Sequence, residues 1–408
     1  MKRLLTIISV ILFAAAGFAQ RPMTLEECID SALSRNPALN AAALDVERAR
    51  LMKGTAFDPP FTGITLKQET TGGGGPENGV MFSQEFDFPT VYTARGRQLD
   101  ALYNLEQNRF RIEAAAVAGQ VREVYQAALY RVTLLRLSDD LGRQYEHFLQ
   151  LAQTRFKEGE TGRLEVMNAE RVYEKNQLER QVLHTELATE IAALKRLICC
   201  TEEIMIADTV QTLIPYAPTD FDFSTSLRGE EAAGQIAVAD REIALAKNQF
   251  LPGISLGATV QALIKSFNPY HIERERFRQG NFMGFEVGIT VPLFFGAQNS
   301  RLKAANAERE AARLRYEYAG MEAENELNAL HTTLGSINDR LTYLTETAIP
   351  RADEIRRIAE VSYGFGEIDY MEYINNIETA FAVYREYADT VNEYNRTVIK
   401  IKDLTAKR

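Results

Sequence analysis

From Thr93 to Lys157 the chain runs without a proline, and only Gly96, Gly119 and Gly142 stand in the way of one continuous helix. At 1.5 Å per residue that helix would be roughly 95 Å long. Gln298 to Tyr363 reads the same way, with Pro350 the single residue able to bend it. Helices of this length do not fit inside a globular domain of such a chain, so the sequence calls for an extended bundle. Its apolar spacing agrees. Leu327, Leu330, Leu334, Ile337, Leu341, Leu344 and Ala348 step alternately by three and four, as do Ile374, Ile377, Phe381, Tyr384, Ala388, Val391, Asn395 and Val398. Leu134, Leu137, Leu141, Phe148 and Leu151 keep that register. A 3.5-residue repeat makes helices wind about one another.

Four segments break the helical pattern. Gly63 to Thr70 and Val80 to Phe88 flank a glycine-rich turn, Gly72 to Gly79. Gly253 to Leu263 and Phe282 to Phe295 follow later. Each alternates apolar with polar or small residues; Gln84 is the one polar residue on the apolar side of its segment. Strands of nine to eleven residues with this alternation suit a transmembrane barrel, and a soluble sheet with one buried face gives the same pattern.

The elements come in the same order twice. A helix, a strand pair, a long helix, a tight turn and a returning helix run over residues 20–200 and again over 228–408, with 201–227, carrying Pro215 and Pro218, as the linker. Pro89 and Pro292 close the two strand pairs, and Gly159 and Gly366 mark the two helical turns. This reads as an internal duplication. Four strands cannot close a barrel, since small membrane barrels use about eight, and open edges are not tolerated in lipid. If the strands are membranous, several copies must pool them, and three copies supply twelve. The expected fold is mainly α with a small β part: a long coiled-coil helical barrel and a twelve-stranded transmembrane barrel shared by three chains.

Residues 1–19 read as a cleaved export signal, with Lys2 and Arg3 before an uncharged run and Gly17-Phe18-Ala19 at the cut. No cysteine follows the cut, so a lipid anchor there is not expected. The formal charge of −10 argues against a nucleic-acid partner. His147, His184, His271 and His331 lie at unrelated spacings, no nucleophile elbow occurs, and Gly72 to Gly75 lacks the Lys-Ser/Thr of a phosphate loop. No catalytic constellation, cofactor site or metal site is read from the sequence. Cys199-Cys200 would make at most half a soft-metal site.

Several short motifs in this frame carry a resemblance. They are Thr24-Leu25-Glu26-Glu27 with Asn36-Pro37, Phe250-Leu251-Pro252-Gly253-Ile254, and Val291-Pro292-Leu293-Phe294-Phe295-Gly296. Two turns complete the set: Phe156-x-x-Gly159 followed by Glu165, and Tyr363-x-x-Gly366 followed by Glu372. Together they resemble the TolC-type outer-membrane efflux family. Phe86 to Gly96 and Glu367 to Asn376 look most like its heavy-metal-cation branch, for copper/silver or cobalt-zinc-cadmium. The resemblance implies a homotrimer in outer-membrane lipid with a long periplasmic extension. It further implies a passive duct, not an enzyme, working with an inner-membrane pump and a periplasmic adaptor to export metal cations or small molecules. It places a periplasmic constriction at Glu372 and Asn375, with Glu165 and Asn168 on the other hairpin, and adaptor contacts at Phe156, Gly159, Tyr363 and Gly366. It also brings Cys28 near the end of the helix at Cys199, where a disulfide to Cys199 or Cys200 is expected in an oxidising compartment. A structural periplasmic stalk with no channel is the alternative, and it leaves the strands unexplained. Glu275 is assigned to an extracellular hairpin.

Overall fold

The computed structural model describes residues 21–70, 76–218, 220–262 and 282–407. The signal segment, Gly72 to Gly75, His271 and Glu275 lie outside them. The elements are β1 (Arg21–Met23), α1 (Leu25–Arg35), α2 (Pro37–Met52), β2 (Gly63–Thr70), β3 (Pro76–Phe86), α3 (Pro89–Glu158), α4 (Arg163–Leu197), β4 (Ile204–Ile206), α5 (Leu227–Asn248), β5 (Gly253–Ala262), β6 (Phe282–Thr290), α6 (Gly296–Tyr343), α7 (Ile349–Gly364) and α8 (Tyr370–Leu404). Thr24 and Glu27 form a reciprocal capping box at the start of α1, each accepting from the other's backbone N–H. The helix α3 has 70 residues. Pro89 opens it, where a missing N–H costs nothing. Before Pro350 the chain takes a π turn, Leu344–Ala348, that leads from α6 into α7. The wider turn accommodates the proline without ending the helical path.

Two compact units share these elements. One comprises Arg111–Leu227 and Met321–Arg408 with the chain up to Ala41. Its core follows the predicted 3-4 register: Leu327, Leu334, Ile337, Leu341, Leu344 and Ala348 are buried, as are Ile374, Ile377, Ala388, Val391, Asn395 and Val398. Two glycines of α3 admit polar neighbours. A Cβ on Gly119 would stand 2.3 Å from Asp403 Oδ2, and one on Gly142 2.6 Å from Asn176 Oδ1. The linker is more structured than its prolines suggest. Ile204–Ile206 pairs in parallel with Arg21–Met23. Asn395, fully buried on α8, accepts from the Ile214 N–H and donates to the Thr212 carbonyl, each at 2.8 Å, so its amide stands in for a missing strand.

The other unit, Ala42–Phe110 with Arg228–Gly320, carries an antiparallel sheet in the order β2-β3-β5-β6. The last strand ends at Thr290, short of the predicted Phe295, because Pro292 has no N–H for a ladder. The sheet has two unlike faces. Ile64, Leu66, Val80, Phe82, Ile254, Leu256, Ala258, Val260, Met283, Phe285, Val287 and Ile289 share one of them by register. Leu66 is 80% exposed and Phe285 79%, so among the described residues nothing covers this face at its rims. Gln84 interrupts it for a reason: its amide donates to the Pro60 carbonyl at 2.7 Å and accepts from the Thr62 hydroxyl at 2.6 Å, holding the chain that leads into β2. The opposite face is polar and tight. A Cβ on Gly63 would meet Ser83 Oγ at 2.4 Å, and one on Gly288 would meet Ser255 Oγ at 2.4 Å.

Candidate functional site

The two helical turns singled out by sequence are built alike. At the end of α3, Gly159 N–H donates to the Phe156 carbonyl and Glu160 N–H to that of Arg155; at the end of α7, Gly366 N–H donates to Tyr363 and Glu367 N–H to Ser362. Both are Schellman closures, with the glycine left-handed at φ +80° and +75°. No atom lies within 4 Å of a Cβ placed on either, so the demand for glycine is conformational, not steric.

Beyond the turns the two hairpins differ. Glu165, in the first turn of α4, is buried; it accepts from the Tyr363 hydroxyl at 2.6 Å and from Thr161, and Arg155 lies 3.9 Å away. Tyr363 stacks on Tyr373 with centroids 4.7 Å apart and meets Phe148 edge-on at 5.6 Å. Burial first, then the hydrogen bond to Glu165, pushes its phenol well above the usual tyrosine range. Burial likewise takes Tyr373 up to about 12. Asn168 Nδ2 donates to the Tyr370 hydroxyl at 2.8 Å, a second tie between the hairpins. The two hairpins therefore differ in this chain: Glu165 is bonded to Tyr363, and Tyr363 is buried. Phe156 stays exposed. Glu372 N–H is capped by Asp369 Oδ1 at 2.8 Å. The Glu372 and Asn375 side chains are exposed and, among the described residues, unpartnered.

Residues 230–407 match the model of the family described as outer membrane efflux protein. The similarity to that family lies in this C-terminal stretch of the chain. No curated protein matches it in sequence. Among solved structures it is similar to CusC (TM-score 0.78, 18% identity, covering 94% of this chain and 92% of that one). The open state of the Neisseria gonorrhoeae MtrE outer membrane channel gives 0.74 and 16%, covering 93% and 88%. The Campylobacter jejuni CmeC outer membrane channel gives 0.73 and 14%, covering 93% and 85%. At these identities the likeness is one of fold, and it extends over nearly the whole chain, including the half that the family model does not reach.

The expected disulfide is corrected: Cys28, Cys199 and Cys200 are free thiols. Cys28 is buried in an apolar cluster with Val121, Tyr125 and Ile198, and burial pushes its thiol up to about 11. Cys199 does a different job. Its N–H donates to the Arg196 carbonyl and Cys200 N–H to that of Lys195, a third Schellman closure, here at the end of α4. Among the described residues Cys199 is the one non-glycine with positive φ, at 51°, and its side chain is exposed. Cys199 thus closes a helix terminus that lacks its glycine. Cys199→Gly should raise unfolding stability by about 1 kcal/mol, since left-handed backbone costs other residues roughly 1–2 kcal/mol. Denaturant titration of the two proteins measures it; an unchanged or lowered midpoint would contradict the strain.

Proposed function

We propose that three copies of this chain form a passive export duct of a tripartite system, working with a periplasmic adaptor and an inner-membrane pump to release metal cations or small molecules. The carrying observation is the sheet. Among the described residues β2 and β6 each have a neighbour on one side only, one face is apolar and uncovered, and the opposite face is polar. Pooling three such sheets puts the apolar face toward lipid and pairs every edge. The twofold order of elements supports an origin by duplication of residues 20–200 and 228–408. Around the helical turns Phe156, Leu164, Met167, Phe365 and Met371 are exposed apolar residues, suited to a partner protein such as the adaptor.

In this reading Glu372 lines the periplasmic constriction with Asn375 one turn on. Three carboxylates round one axis repel each other and attract cations. This favours cationic cargo, as in the metal-cation branch that the sequence resembles. The reconstituted protein should conduct cations in preference to anions and be blocked by multivalent cations from the periplasmic side, and Glu372→Gln should lose much of both. Reversal potentials in planar bilayers decide it: a variant with unchanged preference and block leaves Glu372 as nothing more than a carboxylate placed well at a helix N-terminus.

A further inference from the structure

The antiparallel register of α3 and α5 is fixed at three points within one compact unit. Thr90 Oγ1 donates to Asn248 Oδ1 at 2.5 Å, Leu105 packs on Gly234, and Asn108 Nδ2 donates to the Glu230 carbonyl at 3.3 Å. Between these points the same register sets Arg97 opposite Arg241. Both line a groove of about 270 Å³, with the Asn104 amide beside them and Ala101, Leu105 and Gly234 among its apolar lining. Neither guanidinium has a hydrogen bond or ion pair to a described residue. The one carboxylate in the groove, Asp100, is already held by Lys53 Nζ at 2.8 Å. Other arginines of this unit are neutralised: Arg95 by Asp87, Arg109 by Glu106 and Glu231, Arg309 by Asp240.

Two facing cations without a counterion repel each other. Guanidinium forks match phosphate oxygens two at a time. We propose that this groove binds a phosphate group. Arg97 lies eight residues into α3, which begins at Pro89, so it stands about 12 Å along the helix from the end that adjoins the sheet. If the sheet spans the membrane, as the reading above has it, that is just beneath the headgroup region. A long arginine side chain can reach toward that region. The phosphate is then either that of a phospholipid headgroup or a free phosphate from the periplasm, and the test separates the two.

The full chain is purified in an uncharged detergent and offered phosphatidylglycerol in one arm and inorganic phosphate in the other. Bound lipid is read by native mass spectrometry and bound phosphate by calorimetry. A headgroup site retains lipid and ignores inorganic phosphate; a free-phosphate site takes up both. In either case Arg97→Gln/Arg241→Gln should bind at least tenfold less than the unmodified protein, while Arg136→Gln, an exposed arginine of the other unit, should not differ. Without ligand the double variant should melt no lower than the parent, since it removes repulsion. If that variant does not fold, Arg241→Gln alone, at an exposed position, carries the comparison. Equal binding by parent and variant in both arms, or none by the parent, overturns the site. The readout needs neither a trimer nor conductance, so a failed duct and a failed groove give different results.

Discussion

Val287→Arg should keep the protein out of the outer membrane. Val287 sits in the middle of β6, is 77% exposed, and is flanked on the same face by Phe285 and Ile289. A cation on the lipid face of a barrel near mid-bilayer costs about 2–4 kcal/mol. In a threefold assembly the cost recurs in every copy, so its sum rivals the whole stability of an ordinary domain, about 5–15 kcal/mol. The neighbouring Glu286 projects from the crowded polar face, and Glu286→Gln should insert as the parent does. Membrane fractionation followed by detergent extraction and native mass spectrometry compares the three. Normal trimers from Val287→Arg would mean that the apolar face is covered by protein rather than lipid, and the shared barrel would have to be abandoned.

The sequence is most legible where a feature depends on period or on one residue's backbone. The 3-4 spacing from Leu327 to Ala348 identified the buried stripe because each helical position faces the same way every seven residues. Gly159 and Gly366 could be read as left-handed because a tight helical turn leaves few other solutions. The strands were found by their alternation, and the end of β6 was overrun because an apolar run continues past the proline that stops the ladder. The sequence is least legible where a side chain substitutes for backbone across a long separation. Nothing local marks Asn395 as the partner of Thr212 and Ile214, or Gln84 as the holder of Pro60, since each looks like a flaw in an apolar pattern. The short pairing of Arg21–Met23 with Ile204–Ile206 is invisible for the same reason. The left-handed backbone of Cys199 is likewise invisible, since a cysteine gives no sign of a helix terminus that usually carries glycine. The likeness between Glu165 and Glu372, equally spaced from their glycines, concealed that only one is buried.

That difference yields the second large effect. Tyr363→Phe should loosen the junction of the two hairpins while sparing their apolar packing. The phenylalanine keeps the stack on Tyr373 and the edge contact with Phe148, but it withdraws the hydroxyl that Glu165 accepts at 2.6 Å. The buried carboxylate is left with Thr161 and with Arg155 at 3.9 Å. A hydrogen bond to a charged group contributes about 1.5–3 kcal/mol, so local opening should become about 10–100 times more frequent. The sign of the pH effect follows from the phenol. Its folded value is raised, so the bond is intact below the ordinary tyrosine range and is lost only as pH climbs past the raised value. The loosening in Tyr363→Phe should therefore appear at neutral pH, where the parent is closed. Amide hydrogen exchange over residues 155–165 and 362–373 reads it directly, and a higher basal conductance in planar bilayers should accompany it if these turns narrow the duct. Adding Glu165→Gln to Tyr363→Phe removes the stranded charge and should recover part of the protection, a coupling that a double-mutant cycle measures. Exchange in Tyr363→Phe that matches the parent at both hairpins would show that the stacked rings and Asn168 hold the junction without the hydroxyl.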